Sequence, residues 1–218
     1  MKKAEVLQHI KESGLLPVLR ASSVEEALAL AKAIEAGGIT ALEVTMTVPN
    51  AIEVIRSLVQ QSGDRILIGA GTVLDPETAR ACILAGAVFV VSPSLNLKTV
   101  ELCRRYSVAV IPGALTPTEV VTAWESGADV VKVFPCSAVG GAKYLKALKA
   151  PFPQIELIPT GGVSLATAAE FLAAGAFALG VGADLVSPKA LADGKPEIIT
   201  QTAKEYVEIV RKAQGNND

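Results

Sequence analysis

One phrase recurs four times along the chain: the end of an Ala-rich helix, a small residue with glycine, then a Val/Ile-rich strand. It reads AIEAGGITALEVT at 33–45, CILAGAVFVVS at 82–92, WESGADVVKVF at 124–134 and FLAAGAFALGVG at 171–182. Glycine just past a helix provides a left-handed stop, so the chain can turn directly into the next strand. Gly37, Gly86, Gly127 and Gly175 lie about 40 to 50 residues apart, close to twice a minimal strand-helix unit. Intermediate units belong in the gaps, and LLPVL (15–19), ILIGA (66–70), VAVIP (108–112) and IELIPT (155–160) supply them. Eight strands are predicted, near 15–19, 39–45, 66–70, 87–92, 108–112, 129–134, 155–160 and 177–181. Eight parallel strands covered on both faces close most naturally into an α/β fold of one domain, 1–218, a single (β/α)8 TIM barrel with an N-terminal helix. An open doubly wound sheet is the alternative. GAGTVL (69–74) and GVGADL (180–185) begin like a dinucleotide fingerprint but lack its third glycine.

Helix starts agree with this register. Asp75-Pro76-Glu77 and Thr116-Pro117-Thr118-Glu119 each place a capping side chain before a first-turn proline, the second with glutamate in capping-box position. Ser23 opens a helix whose Val24, Ala27, Leu28, Ala31 and Ile34 recur at three and four residues, as a buried stripe requires. Ile199, Ala203, Tyr206 and Val210 form the same kind of stripe near 196–213.

Composition narrows the chemistry. With 19% charged residues and a net charge of -2, the chain offers no broad electrostatic footprint for nucleic acid or an anionic membrane surface, so neither is an expected partner. Cys82, Cys103 and Cys136 are odd in number, widely spaced and without a C-x-x-C pair, which points to reduced thiols and a cytoplasmic setting. The N-terminus has no apolar signal core. A single histidine, His9, lies in a Lys/Glu-rich segment that reads as a solvated helix, so His-based relays and two-His metal sites are not expected.

Two charges interrupt otherwise apolar strands. Period-two alternation groups Ala41, Glu43 and Thr45 on one face of ALEVT, and Val130, Lys132 and Phe134 on one face of DVVKVF. Leu42, Val44, Val131 and Val133 then pack on the outer helices, leaving Glu43 and Lys132 inside. A buried Lys-Glu pair is a poor stability device, and barrel interiors are ordinarily filled by branched apolar side chains. Desolvation favours the free amine over the ammonium, and the free amine is what attacks a carbonyl to form a Schiff base. Glu43 beside it is placed to move a proton.

Barrel sites lie at the C-terminal ends of the strands. There, Thr160-Gly161-Gly162-Val163 and Gly180-Val181-Gly182-Ala183-Asp184 offer backbone N–H groups for an anion, or else simple tight turns that need glycine. Gly69-Ala70-Gly71-Thr72 offers close backbone approach and a hydroxyl. Arg20 directly follows the first strand, and its planar fork suits a carboxylate.

These residues together resemble the 2-keto-3-deoxy-6-phosphogluconate (KDPG) / 4-hydroxy-2-oxoglutarate (KHG) aldolases from about residue 10 to 212. The likeness is carried by VLRASSVEEA (18–27), GGITALEVTMTVPNA (37–51), GAGTVLDP (69–76), VSPSL (91–95), IPGALTPTE (111–119), VKVFP (131–135), APFP (150–153) and PTGGV (159–163). The resemblance implies a class I aldolase on a (β/α)8 barrel, without metal or other cofactor, usually a homotrimer, acting on a small 2-keto acid. It implies Lys132 as the Schiff-base lysine and Glu43 as general acid/base. Thr72, Pro93 and Phe134 orient the pyruvoyl moiety, and Thr160, Gly161 and Gly162 bind the far phosphate. Thr45 and Gly182 complete the expected substrate-binding set. Two departures stand out. Thr47 stands where some members carry an arginine for the substrate carboxylate, which assigns that role to Arg20; Ala183 stands where many carry serine, removing one hydroxyl donor from the phosphate turn. The expected reaction is cleavage of KDPG to pyruvate and glyceraldehyde 3-phosphate, with 4-hydroxy-2-oxoglutarate as a further substrate. The alternatives are the galactonate epimer, a phosphate-binding isomerase or epimerase using Glu43 as base, and a non-catalytic protein with a structural ion pair.

Overall fold

The computed structural model describes residues 1–215. Its strands are β1 (Leu15–Leu19), β2 (Ala41–Thr45), β3 (Leu67–Gly71), β4 (Phe89–Val91), β5 (Ala109–Ile111), β6 (Gly113–Ala114), β7 (Val131–Val133), β8 (Leu157–Pro159) and β9 (Leu179–Val181). The helices are α1 (Lys3–Ser13), α2 (Val24–Ala36), α3 (Ala51–Ser62), α4 (Pro76–Leu84), α5 (Leu97–Arg105), α6 (Pro117–Glu125), α7 (Ala142–Lys149), α8 (Ala168–Ala173), α9 (Pro188–Ala192) and α10 (Pro196–Ala213). Each predicted strand position holds a strand.

The capping signals act as read. The Ser23 hydroxyl accepts from Glu26 N–H at 3.1 Å, and the Asp75 carboxylate accepts from Thr78 N–H at 2.6 Å. At α6, Thr116 Oγ1 accepts from Glu119 N–H at 3.3 Å, while Glu119 Oε2 accepts from Thr116 N–H at 2.8 Å. Each satisfies a donor that the helix itself leaves unpaired.

Pairing between the described strands is parallel. It forms a curled six-stranded sheet in the order β5-β4-β3-β2-β1-β9 and a three-stranded sheet β6-β7-β8. The expected single ring of eight strands is thus written as two ladders, interrupted at two places. The predicted strand near 108–112 runs on past Pro112 as a second segment, because proline has no N–H to give the ladder. Between β8 and β9 the pairing shrinks to one parallel bridge, Thr160 with Gly180.

Alternation along the strands sorts the core into two clusters. Leu42, Val44, Ile68, Val90, Val131, Val133 and Leu179 pack with the buried faces of the helices. Ala41, Leu67, Phe89, Ile111, Val130 and Ile158 pack together on the opposite face, joined by Val6 and Ile10 of α1. Helix α1 lies at the N-terminal ends of the strands: His9 Nε2 is 2.7 Å from Thr40 Oγ1, and Lys3 Nζ donates to Asp129 Oδ1 at 2.7 Å. Both partners precede strands, so the C-terminal ends stay open. No helix among the described residues is long and apolar enough to cross a membrane.

Candidate active site

Glu43 is the middle residue of β2 and Lys132 of β7. Alternation puts both on the face of Ala41 and Val130, away from the helices. They are 1% and 5% exposed, and Lys132 Nζ lies 3.7 Å from Glu43 Oε1. That separation is an ion pair without a hydrogen bond. Glu43 Oε1 is buried and accepts no hydrogen bond from the described residues. An unbonded carboxylate oxygen is costly inside a protein, and this one is free to accept from a proton-bearing group brought beside Lys132.

The carboxylate fits only because of Gly71. A Cβ on Gly71 would come 1.9 Å from Glu43 Oε1, and one on Gly69 would come 2.0 Å from the Phe89 ring. The close approach expected at this GAG segment is therefore taken by protein side chains, Glu43 and Phe89. Thr72 follows with φ +56°, a left-handed conformation that β-branched residues rarely adopt. The neighbouring Val73 N–H holds the turn by donating to Val91 O at 3.2 Å. Strain of this kind persists where the surroundings over-determine it, often at working sites.

Above Lys132, at the C-terminal ends of the strands, opens a pocket of about 320 Å³. Lys132 and Phe134 line it, with Nζ 5.5 Å from the Phe134 ring centroid. Arg20, Thr72 and Pro93 contribute further walls, and Thr160, Gly161, Gly162 and Gly182 supply the glycine turns after β8 and β9. Arg20 is exposed and makes no ion pair within the described residues. Nine of the expected residues thus converge on one cavity, with Glu43 packed beside Lys132.

Thr45 is the exception. It is 0% exposed, its hydroxyl donates to Leu19 O at 3.1 Å and lies 2.7 Å from Thr47 Oγ1, and it does not line the pocket. Its observed contact ties β2 to the end of β1, one residue before Arg20. Alternation gives the face of a strand residue but not which acceptor its hydroxyl meets.

The cavity also takes Val18, Val163, Gly180, Ala183 and Asp184. Val18 shares a face with Leu16 and was open to the same alternation argument; Asp184 was visible as the acid in the turn after the last strand. Gly113 had no local signal. A Cβ there would come 2.3 Å from the Pro93 carbonyl, so its smallness admits the Pro93 segment to the pocket wall. Gly180 similarly leaves room for Thr160 Oγ1, which would lie 2.1 Å from a Cβ. No three His, Cys, Asp or Glu side chains among the described residues are grouped as a metal site.

Comparison with known proteins gives a consistent result. The sequence model of the KDPG and KHG aldolase family matches residues 6–202. A 2-dehydro-3-deoxy-phosphogluconate aldolase of Treponema pallidum is 36% identical over 205 residues, covering 94% of this chain and 97% of that one. The KHG/KDPG aldolase of Escherichia coli K12 is 36% identical, covering 89% and 91%. The crystal structure of the KDPG aldolase from Legionella pneumophila, with pyruvate captured as a covalent carbinolamine, superposes with a TM-score of 0.84 at 33% identity, covering 91% of this chain and 96% of that chain. The chain belongs to the KDPG and KHG aldolase family.

Proposed function

We propose that the protein is a class I aldolase that cleaves KDPG to pyruvate and glyceraldehyde 3-phosphate, and 4-hydroxy-2-oxoglutarate to pyruvate and glyoxylate, with Lys132 as the nucleophile. The observation that carries the reading is the buried Lys132 amine in a pocket at the C-terminal ends of the strands, 3.7 Å from a carboxylate oxygen that accepts no hydrogen bond from the described residues. The Lys132 amine adds to the C2 ketone and loses water to give an iminium. Glu43 takes the proton of the C4 hydroxyl as the C3–C4 bond breaks, and the bonding electrons pass into the iminium to form an enamine. The aldehyde leaves, Glu43 returns the proton to C3, and water hydrolyses the new iminium to release pyruvate and free amine. No separate cofactor is required, because the iminium that Lys132 forms with the substrate is the electron sink.

Arg20 at the pocket mouth receives the substrate carboxylate by its planar fork. Thr72, Pro93 and Phe134 hold the pyruvoyl group over Lys132. Thr160 with the Gly161, Gly162 and Gly182 turns receives the distal phosphate through hydroxyl and backbone N–H donors.

For the architecture, we propose one (β/α)8 barrel domain in which β5 and β6 are a single strand kinked at Pro112. Support comes from bonds across both interruptions: Asp129 N–H donates to Val110 O and Lys132 N–H to Pro112 O, while Phe177 N–H donates to Leu157 O beside the Thr160–Gly180 bridge. We propose a cytoplasmic homotrimer, for which exposed Leu74, Leu84, Leu97 and Trp124 supply apolar surface.

Treatment with pyruvate and borohydride tests the mechanism. A pyruvate-sized adduct is expected on Lys132 and absent in Lys132→Met, with Glu43→Gln still labelled but slow in turnover. A folded wild-type protein that takes up no label overturns the reading.

A further inference from the structure

The turn after β9 carries an acid in the pocket wall that the mechanism does not use. Asp184 Oδ2 accepts from Leu165 N–H at 3.2 Å and also from the Tyr206 hydroxyl. Leu165 lies two residues beyond Val163, in the loop that contains Gly161 and Gly162; Asp184 lies two beyond Gly182. One carboxylate oxygen therefore joins the two neighbouring glycine turns, both of which line the cavity. The third member is Tyr206 of α10, 0% exposed within the helix-side core, with its hydroxyl directed at this oxygen. Burial and the Asp184 carboxylate both push the Tyr206 hydroxyl to hold its proton more firmly, so it remains a donor.

Each turn has bonds of its own, Ser137 N–H donating to Gly161 O, Thr167 Oγ1 to Gly162 O, and Leu185 and Val186 N–H to Gly182 O, but its glycines carry no side chain to add to them. Gly161 and Gly162 have φ +89° and +80°, and no Cβ contact would limit Gly182. Glycine loops have many conformations to lose when a ligand orders them. A shared acceptor anchored to a packed helix removes part of that cost in advance.

We propose that Asp184 is a positioning residue that fixes the spacing of the two distal turns, so that selectivity for aldehydes long enough to reach them depends on the Asp184–Tyr206–Leu165 brace. This rests on the aldolase reading and extends it from the reacting centre to the far end of the substrate. Glyoxylate, a two-carbon aldehyde, ends near the reacting centre; glyceraldehyde 3-phosphate extends its phosphate to the turns. Loosening the brace therefore penalises the second and spares the first.

The test is steady-state condensation of pyruvate with each aldehyde, in wild type, Asp184→Ala, Asp184→Asn and Tyr206→Phe, with pyruvate-borohydride labelling of each protein. In Asp184→Ala, kcat/KM for glyceraldehyde 3-phosphate relative to glyoxylate falls about tenfold, mostly through KM, as expected for loss of hydrogen bonds to a charged acceptor. Asp184→Asn keeps an amide oxygen that accepts both bonds, and restores the ratio to within about twofold of wild type. Tyr206→Phe keeps the charge but loses one donor, and falls between the two. A ratio unchanged in Asp184→Ala, or Asp184→Asn as impaired as Asp184→Ala, overturns the proposal while normal labelling leaves the aldolase reading intact. An unlabelled wild-type protein removes both.

Discussion

Glu43 is held by the absence of a side chain on its neighbour strand. Gly71 has an ordinary backbone conformation, so its requirement comes from the Glu43 carboxylate, which would lie 1.9 Å from a Cβ. In Gly71→Ala, Glu43 must swing away from Lys132. A displacement of about 1 Å in the group proposed to move the proton lowers kcat on the order of 10²-fold, while overpacking costs about 1–3 kcal/mol of stability. Cleavage kinetics and urea unfolding measure the two separately, and a folded Gly71→Ala enzyme with wild-type kcat would contradict this role. Glu43 and Lys132 themselves were legible in the sequence, because a charge inside an apolar alternating strand has few physical justifications. Gly71 and Thr45 were not, since their roles depend on which atoms approach from another strand.

The three thiols give a second prediction at this scale. Burial pushes Cys82 and Cys136 up to about 11 and Cys103 up to about 12. In the folded state these thiols keep their protons above the pH at which unfolded thiols, near 9.0, lose them. Their contribution to stability is complete below about pH 9 and is lost as pH rises through 11 to 12. A thiol reagent at about pH 8 should react with the native protein far more slowly than with urea-unfolded chain, because the reactive thiolate is both scarce and buried. Equal rates in the two states would defeat this account.

Among the elements, helix starts were the most readable features because capping is local chemistry. Thr116 and Glu119 satisfy each other's backbone donors within four residues, and proline sets the first turn between them. Thr116→Ala removes the side-chain acceptor and costs about 1 kcal/mol. Equilibrium urea unfolding should show the loss, with aldolase kcat retained, since α6 lies outside the pocket; a stability equal to wild type would mean the exposed box contributes nothing. Strand limits were less readable for a corresponding reason. Pro112 cannot donate to a ladder, yet the strand resumes at Gly113 and Ala114 because β7 pairs with both. That pairing depends on residues almost twenty positions away, so no local signal announces it. Alternation was reliable throughout: the division of the core into a helix-side cluster and an opposite cluster follows residue parity along β2, β3, β4 and β7.

At the scale of the whole molecule, the two ends of the strands have different work. The C-terminal ends carry the glycine turns and Arg20 around the pocket, whereas the N-terminal ends are covered by α1. Val6 and Ile10 are 1% and 0% exposed and pack with Leu16, Phe89, Ile111, Val130 and Ile158. Glu43 and Lys132 project from this same face, one step along their strands from Ala41 and Val130. Helix α1 thus fills the cluster beneath the reactive pair without touching the pocket, and its Lys3 bond to Asp129 holds it at the start of β7. Ile10→Ala leaves a cavity there that the surrounding aromatic and branched side chains fill only in part, at a cost of about 2–5 kcal/mol. Urea unfolding should show that loss at constant m-value. Because the pocket is formed by the opposite ends of the strands, the fraction that remains folded should keep its kcat and its pyruvate-borohydride labelling of Lys132. If labelling instead declines in step with stability while circular dichroism stays native, the covered end and the catalytic end are coupled, and α1 helps to hold the Lys132–Glu43 spacing.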